Sequence, residues 1–235
     1  MICVGFGPAS LSIAAALHDA GIQARVLFLE KQSQFAWHSG MLLPGSHMQI
    51  SFLKDMATFR NPQSKFTFLS YLQSQNRLVP FANQSTFYPL REEFNDYLQW
   101  CASHFDEDVH YGEEVQSVSP VTAKGPVKTW NVVSRNVATG AESQFVGRHI
   151  VVAVGGRANI PAAFQGKDNV LHSSRYLSEV NQRLPKKDAQ LKVAVVGGGQ
   201  SAVEIFQHVY STFPNATAHL ILRQPALKPS DDSPL

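Results

Sequence analysis

The chain has 235 residues and a formal net charge of +2 at pH 7, and 16% of its residues are charged. So small a charge excludes the strongly basic surface with which proteins bind nucleic acid or an anionic membrane. The apolar runs are short, 150–154 being typical of the longest, so we expect no membrane-spanning segment. A chain of this length and apolar content is predicted to form one or two globular domains.

The sequence contains two cysteines, Cys3 in a predicted buried strand and Cys101 on the apolar face of a predicted helix. We expect both thiols to be inert core residues. Their spacing excludes a C-x-x-C redox centre, and no basic-then-apolar leader precedes the first predicted strand. We therefore expect a cytoplasmic protein in a reducing compartment, without a bound metal.

A dinucleotide-binding unit is predicted at the start of the chain. Its predicted elements are a strand over 1–4, a helix over 10–20 and a strand over 26–29. Between the first two, Gly5 permits a tight turn, and Gly7 lets backbone N–H groups approach a pyrophosphate at the helix N-terminus. Glu30 closes the second strand, where a carboxylate can accept hydrogen bonds from ribose hydroxyls. Taken alone, Glu30 could equally be a solvated strand end.

The middle of the chain begins with a long unpatterned connection, 35–61, of the kind that is usually functional. Helices are predicted over 66–75 and 89–105, the second with an apolar stripe of Phe94, Tyr97, Leu98, Cys101 and Phe105. Period-two patterning then predicts an antiparallel meander of strands over 114–118, 129–135 and 143–146. The apolar run 150–154 predicts a buried parallel strand before Gly155 and Gly156. This order is typical of a flavin-binding domain, in which Val115 could hold the adenine through its backbone.

A polar linker is predicted over 181–192, and a second dinucleotide-binding unit follows it. The predicted elements are a strand over 193–196, a G-x-G-x-x-A turn over 197–202, a helix over 201–212 and a strand over 219–222. Arg223 follows that strand where the first unit has an acid. An arginine pairs with a ribose 2′-phosphate, which favours NADPH over NADH. The alternative is that Arg223 only reaches solvent from a strand end.

Together the two units predict an α/β protein with two Rossmann-like dinucleotide-binding domains and a small antiparallel β-meander in the first. We expect residues 1–180 to bind FAD and residues 181–235 to bind NADPH. The acid that follows the first unit favours FAD there, and the arginine that follows the second unit favours NADPH there. The predicted class is a flavoprotein that takes hydride from NADPH.

The sequence resembles the N-hydroxylating flavin monooxygenases, most closely the branch that acts on L-ornithine in siderophore biosynthesis. The motifs that carry the resemblance are GFGPASL at 5–11, FAWHSGM at 35–41, MQISFLKD at 48–55, FTFL at 66–69, VAVGG at 152–156, GQSA at 199–202 and PSDDSP at 229–234. The resemblance implies that NADPH reduces FAD and that the reduced flavin uses O2 to hydroxylate the terminal amine of ornithine. Because the cofactor carries this chemistry, no catalytic side chain is expected.

The resemblance also implies binding residues. The FAD set is Gly5, Gly7, Pro8, Glu30, Lys31, Gln32, Phe35, Trp37, His38, Gln49 and Val115, and the NADPH set is Gly198, Gly199, Gln200, Ser201 and Arg223. Lys54 matches the lysine that holds the substrate carboxylate, although charge alone would favour a solvated lysine. His172 and Ser173 match the family pattern too, with a structural role equally open.

Members of that family continue past the position of Leu235, so we expect the chain to be a fragment of a longer enzyme or a truncated gene product. Three functions follow as alternatives: ornithine N(5)-hydroxylation, lysine N(6)-hydroxylation, and a non-catalytic nucleotide-binding remnant. The resemblance further implies a homo-oligomer, a tetramer in the family, with ornithine and O2 as substrates and no nucleic acid or membrane partner.

Overall fold

The computed structural model describes residues 1–122, 125–184 and 188–227. The helices are α1 (Pro8–Asp19), α2 (Phe68–Ser74), α3 (Leu78–Ala82), α4 (Arg91–Ala102), α5 (Tyr176–Arg183) and α6 (Gln200–Thr212). The strands are β1 (Ile2–Val4), β2 (Leu27–Glu30), β3 (Val109–Tyr111), β4 (Glu113–Pro120), β5 (Trp130–Asn136), β6 (Glu142–Gly147), β7 (Ile150–Val152), β8 (Lys192–Val196) and β9 (Thr217–Ile221). No helix within these described ranges combines the length and the apolar character that a membrane crossing requires.

The chain forms two compact units. Unit 1 consists of residues 1–37, 52–87 and 94–156, and unit 2 of residues 38–51, 88–93 and 157–235. The predicted α/β class is confirmed, since the structure combines parallel strands, helices and a separate three-stranded antiparallel sheet. The assignment of 1–180 to FAD and 181–235 to NADPH stays a prediction.

Unit 1 is built on a parallel sheet with the strand order β3-β2-β1-β7. Every residue of β1 is buried, and Cys3 is fully enclosed. Helix α1 begins at Pro8, two residues before the predicted start, because proline suits the first turn of a helix. The predicted first strand, glycine turn and helix are thereby confirmed.

Strand β7 departs from the prediction of a buried strand over 150–154. It ends at Val152, and the side chains of Val152 and Val154 are 69% and 65% exposed. The reason is its position, since β7 is the outermost strand of the sheet on the β1 side. An apolar run predicts burial only if other elements cover both faces of its strand.

The apolar stripe predicted on the helix over 89–105 is confirmed as buried and forms the aromatic core of unit 1. The α-helix itself, α4, is shorter than predicted, and Phe105 lies in the 3-10 helix Ser103–Asp108 that follows it. The rings of Tyr97 and Phe68 lie 5.4 Å apart, and both side chains are fully buried. The Tyr97 hydroxyl donates to the carbonyl of Phe66 at 2.7 Å and accepts the N–H of Met56 at 3.0 Å. Helix α4 therefore also fixes the backbone of the long connection that precedes α2.

The predicted meander is confirmed as the antiparallel sheet β4-β5-β6. A register shift between Val115 and Ser117 marks an irregularity in β4. The turn after β5 is closed by Asn136, whose Oδ1 accepts the N–H groups of Ala138 at 3.1 Å and Thr139 at 3.0 Å. Such side-chain acceptors are a common way to satisfy turn N–H groups.

Unit 2 contains the parallel pair β8-β9 joined by α6, which confirms the second predicted strand, helix and strand. Its core collects residues from separate parts of the sequence: Met41, Leu43, Tyr176, Val180, Val195, Ala202, Ile205, Val209 and Phe213. The linker predicted over 181–192 is wrong at its start, because α5 continues to Arg183. Arg183 Nε donates to Glu179 Oε2 at 3.0 Å, one turn earlier on that helix. Residues 185–187 of that linker lie outside the described residues.

Candidate nucleotide-binding sites

The first glycine turn joins β1 to α1. Gly5 has φ +92°, and its N–H donates to the carbonyl of Leu29 at 2.8 Å. A Cβ on Gly5 would lie 2.5 Å from the carbonyl oxygen of Ala153, so both the backbone angle and the space require glycine. Gly7 is the N-cap of α1, and a Cβ there would meet no heavy atom within 4 Å. The turn therefore leaves open space in front of the helix N-terminus.

That open space suits an anion. The first turn of α1 carries no acidic residue, and Pro8 occupies its first position. The Ser10 hydroxyl is fully buried and finds no hydrogen-bond partner in the part of the chain that the structure describes. Free N–H groups and a helix dipole favour a phosphate at such a terminus. The residues present therefore fit the pyrophosphate of a dinucleotide.

Glu30 closes β2 and is only 8% exposed. Its Oε2 accepts the N–H of Phe6 at 2.7 Å, and its Oε1 accepts the N–H of Gln32 at 2.9 Å. The alternative of a solvated strand end is therefore wrong. A carboxylate offers about four acceptor positions, so Glu30 keeps capacity for ribose hydroxyls while it braces the glycine turn.

The predicted FAD segment begins with four exposed residues, 31–34, and then enters the core at Phe35. Lys31 and Gln32 are exposed, whereas Phe35 is buried with its ring 6.1 Å from that of Phe6. The ring of Trp37 lies 5.8 Å from that of Phe94. The segment is anchored in the core of unit 1, and its contact with FAD stays a prediction.

Val115 lies at the irregularity of β4. Its side chain packs against the buried residues Ile2, Leu29 and Val132. Strand β4 is an edge strand of its sheet, paired on one side with β5. An edge strand keeps backbone groups for an outside partner, which is what the predicted backbone contact with adenine requires.

Lys54 ends a 3-10 turn over Phe52–Lys54. Phe52 anchors this turn, with its ring stacked on that of Phe87 at 5.8 Å. The Lys54 side chain is exposed and forms no ion pair within the described ranges. The structure therefore presents a single ammonium group from an anchored turn, as a carboxylate-binding lysine requires. Its role in substrate binding stays a prediction.

His38 and Gln49 belong to unit 2. His38 adopts a left-handed conformation with φ 46°, and its carbonyl accepts the N–H of Met41 at 2.7 Å. Partial desolvation and, to a lesser extent, the nearby Arg91 guanidinium lower the pKa of His38, although its side chain still reaches solvent. Gln49 is exposed and donates to the carbonyl of His47 at 3.3 Å. Their predicted contacts with the flavin stay predictions.

The second glycine turn repeats the geometry of the first. Gly197 has φ +144°, and a Cβ there would lie 3.4 Å from that of Ala202. Gly199 is the N-cap of α6, and a Cβ there would meet nothing within 4 Å. The small Ala202 thus permits the close turn, and the space in front of α6 fits a second pyrophosphate. Gly198 and Ser201 flank this space in sequence.

A partly buried ion pair that the sequence did not predict supports the second turn. Glu204 Oε1 accepts a hydrogen bond from the Gln200 amide at 2.7 Å. Its other oxygen, Oε2, accepts one from Arg91 Nη1 at 2.8 Å. The spacing of Gln200 and Glu204 on one helix could have been noticed, whereas Arg91 lies too far away in the sequence. Arg91 also balances the charge of an acid close to the predicted phosphate site.

Arg223 lies two residues beyond β9 and is exposed, with no ion pair among the residues that the structure describes. This leaves its guanidinium available for a phosphate. His172 makes a structural contact, since its Nδ1 accepts the N–H of Ser174 at 3.1 Å at the start of a 3-10 turn over Ser173–Arg175; any further role of His172 and Ser173 stays a prediction.

Both cysteines are buried free thiols. Burial raises the pKa of Cys3 to about 11 and raises that of Cys101 further. The predicted burial of both thiols is confirmed. Their inertness stays a prediction, supported because a thiol is much less reactive than a thiolate.

Known proteins resemble this chain over its whole length. A family model described as L-lysine 6-monooxygenase/L-ornithine 5-monooxygenase matches residues 1–235. The L-ornithine N(5)-monooxygenase of Ajellomyces capsulatus is 53% identical over all of this chain and 50% of its own length. The ornithine hydroxylase of Pseudomonas aeruginosa superimposes with a TM-score of 0.90 at 45% identity, over 99% of this chain and 56% of that one.

A second solved structure is the Kutzneria sp. 744 ornithine N-hydroxylase with reduced FAD, NADP⁺ and L-ornithine. It has a TM-score of 0.91 and 40% identity, over 99% of this chain and 55% of that one. The chain thus spans about half the length of the curated relatives that it matches. Because the family model covers every residue, the chain belongs to the L-lysine 6-monooxygenase/L-ornithine 5-monooxygenase family.

Proposed function

We propose that this chain provides the FAD site and the NADPH-binding turn of an L-ornithine N(5)-monooxygenase. Such an enzyme hydroxylates the side-chain amine of ornithine with O2, a first step of hydroxamate siderophore biosynthesis. The observation that carries the proposal is the pair of open glycine turns, one followed by the buried acid Glu30 and the other by the exposed cation Arg223. Relatives named for ornithine hydroxylation support the same substrate.

FAD fits the first turn. Backbone N–H groups beside Gly7 would bind the pyrophosphate, and Glu30 would accept hydrogen bonds from the adenosine ribose. The backbone of Val115 would contact the adenine, and residues 31–38 together with Gln49 would line the rest. When bound and reduced, FAD supplies the oxygen-activating chemistry.

NADPH fits the second turn. The space before Gly199 would hold the pyrophosphate, with Gln200 and Ser201 at the start of α6. Arg223 would pair with the 2′-phosphate that distinguishes NADPH from NADH. An acid in that position would repel the phosphate, so the exposed arginine favours NADPH.

The Lys54 ammonium suits the carboxylate of ornithine. Lys54 would hold the α-carboxylate, so that the side-chain amine extends away from it. An alkylamine has a pKa of about 10.4, so the site must accept the amine without pairing it to a carboxylate. A cation at the far end of the substrate meets that need, because it orients ornithine while leaving the amine free to react.

The test compares amino acids directly, in an enzyme that contains this chain together with the part of the relatives' length that it does not cover; the chain alone is expected to be inactive. We expect NADPH oxidation to be coupled to N(5)-hydroxyornithine, with lysine a much poorer substrate. Lys54→Ala should raise the KM for ornithine by tenfold or more, since a charge-assisted contact is worth about 1.5–3 kcal/mol, while FAD stays bound. Loss of flavin from this variant would instead place Lys54 in the cofactor site.

Lysine N(6)-hydroxylation is the second candidate. It is favoured by the breadth of the family, and the L-lysine 6-monooxygenase of Pseudomonas syringae is 30% identical with a TM-score of 0.81. Preferential hydroxylation of lysine in the same assay would replace ornithine with lysine in the proposal.

We also propose a homo-oligomeric enzyme, a tetramer, in the cytoplasm. The family resemblance supports the assembly, and the two buried free thiols suit a reducing compartment. Light scattering of the purified protein measures the assembly directly, and a monomeric mass would reject it.

A further inference from the structure

Asp55 follows Lys54 directly, yet its carboxylate is already occupied. Its Oδ1 accepts the N–H of Ala57 at 3.0 Å and that of Thr58 at 2.6 Å. Its Oδ2 accepts the hydroxyl of Thr58 at 2.8 Å and the N–H of Phe68 at 2.6 Å. A carboxylate has about four acceptor positions, and all four are used within unit 1.

These hydrogen bonds fix the backbone on the carboxyl side of Lys54. Asp55 closes the turn over 55–58 and also joins it to the first residue of α2. The next residue, Met56, donates its N–H to the buried hydroxyl of Tyr97 at 3.0 Å. On the other side, Phe52 packs its ring 5.6 Å from that of Phe68. Lys54 therefore extends from a turn that is held on both sides.

The occupied acceptor positions of Asp55 also affect what Lys54 can bind. A lysine beside a free aspartate would pair with it and lose affinity for an outside anion. Since donors from Ala57, Thr58 and Phe68 use the lone pairs of Asp55, this neighbouring carboxylate keeps no acceptor position for the Lys54 ammonium. The same saturation keeps Asp55 from pairing with an ammonium group of a ligand.

We propose that Asp55 is the positioning residue for Lys54, acting through its four hydrogen bonds to orient the Lys54 ammonium and to keep it free for the substrate carboxylate. This inference rests on the proposed function, in which Lys54 binds that carboxylate. It assigns Asp55 no contact with substrate or cofactor.

The central test is Asp55→Asn, because the loss of charge and the loss of positioning should change the KM for ornithine in opposite directions. Removing a negative charge beside Lys54 would by itself favour an anionic group and lower the KM for ornithine. Loss of the hydrogen bonds should instead raise that KM by about three- to tenfold, with kcat and bound FAD nearly unchanged. In a Lys54→Ala background the same change should add less than about twofold, because no ammonium remains to be positioned.

A milder pair of variants guards against misfolding of Asp55→Asn. Thr58→Val removes one donor to Asp55 and frees a lone pair for Lys54, so the KM for ornithine should rise, while Thr58→Ser should restore it. The matched control is Thr67→Val, which removes the N-cap of α2, where Thr67 accepts the N–H of Ser70 at 3.1 Å. That control should lower the melting temperature without changing this KM.

The outcomes separate the two proposals. An unchanged KM in Lys54→Ala would refute the substrate role of Lys54 and so the proposed site. A raised KM in Lys54→Ala with an unchanged or lowered KM in both Asp55→Asn and Thr58→Val would leave the proposed function intact and overturn the positioning role. Equal KM increases in Thr58→Val and Thr67→Val would also overturn it, since general loosening of α2 would then suffice.

Discussion

The sharpest prediction concerns Gly7→Ala. At Gly7 the backbone has φ −84° and ψ −171°, which alanine adopts readily, and an added Cβ meets no heavy atom within 4 Å. The polypeptide alone should therefore tolerate alanine at a cost of about 1 kcal/mol or less, the penalty for a poorer N-cap. A bound pyrophosphate, however, would have to share this space with the new methyl group.

The flavin affinity should fall much more than the stability. If the methyl group displaces the pyrophosphate from one backbone N–H group, a charge-assisted hydrogen bond of about 1.5–3 kcal/mol is lost. This corresponds to FAD binding that is weaker by about 10- to 150-fold. The melting temperature of the flavin-free protein should fall by no more than about 4 °C.

Gly5→Ala provides the contrast. The φ of +92° at Gly5 and the 2.5 Å distance from an added Cβ to the Ala153 carbonyl oxygen would destabilise the flavin-free protein itself. A left-handed alanine costs about 1–2 kcal/mol, and the overlap with rigid backbone adds to it. Gly21→Ala is the matched control for strain, because Gly21 has φ +63° but open space around it; it should lose some stability and no flavin affinity.

The assay is thermal unfolding of the flavin-free variants, followed by FAD titration through quenching of flavin fluorescence. We expect Gly5→Ala to be strongly destabilised and Gly7→Ala to be stable but weak in FAD binding. Wild-type FAD affinity in Gly7→Ala would refute the placement of the pyrophosphate. A flavin-free Gly7→Ala protein as unstable as Gly5→Ala would refute the geometry of the turn.

Three further predictions follow from single contacts. Arg223→Ala should weaken NADPH binding by about tenfold or more and leave NADH nearly unchanged, since the lost contact is with the 2′-phosphate; equal losses in binding titrations would reject this. Gly40→Ala should lower the melting temperature by at least about 4 °C, because its Cβ would overlap the carbonyl of Ser174; an unchanged value would contradict the packing. Cys3 and Cys101 should react with a thiol reagent at pH 8 only after unfolding, because burial raises both pKa values; rapid labelling of the native protein would disagree.

The sequence predicted the glycine turns well because each is a local structure. A strand, a turn and a helix within about 20 residues are specified by short-range periodicity and by glycine conformation. Gly5 and Gly197 both have positive φ, and Gly7 and Gly199 both cap a helix. The burial of Glu30 does not follow from the sequence, because burial depends on which backbone groups fold against the carboxylate.

Features made by distant residues could not be predicted. Arg91 and Glu204 form an ion pair across 113 positions, and no periodicity connects them. The exposure of Val152 depends on how many strands lie beside β7, which an apolar run cannot show. Helix α3, over Leu78–Ala82, was missed because five residues that include Pro80 carry too short a pattern.

The interleaving of the two units has a consequence for synthesis on the ribosome. Residue 156 is the last residue of this chain in unit 1, whereas Met41 and Leu43 pack in a core with Val195 and Val209, which are translated much later. At roughly 5–20 residues per second, the early residues wait on the order of ten seconds for these partners. During that interval the apolar residues of segment 38–51 lack their core partners, while the strands of unit 1 can already pair. A chaperone that binds short apolar segments therefore has a target there, before the second glycine turn exists.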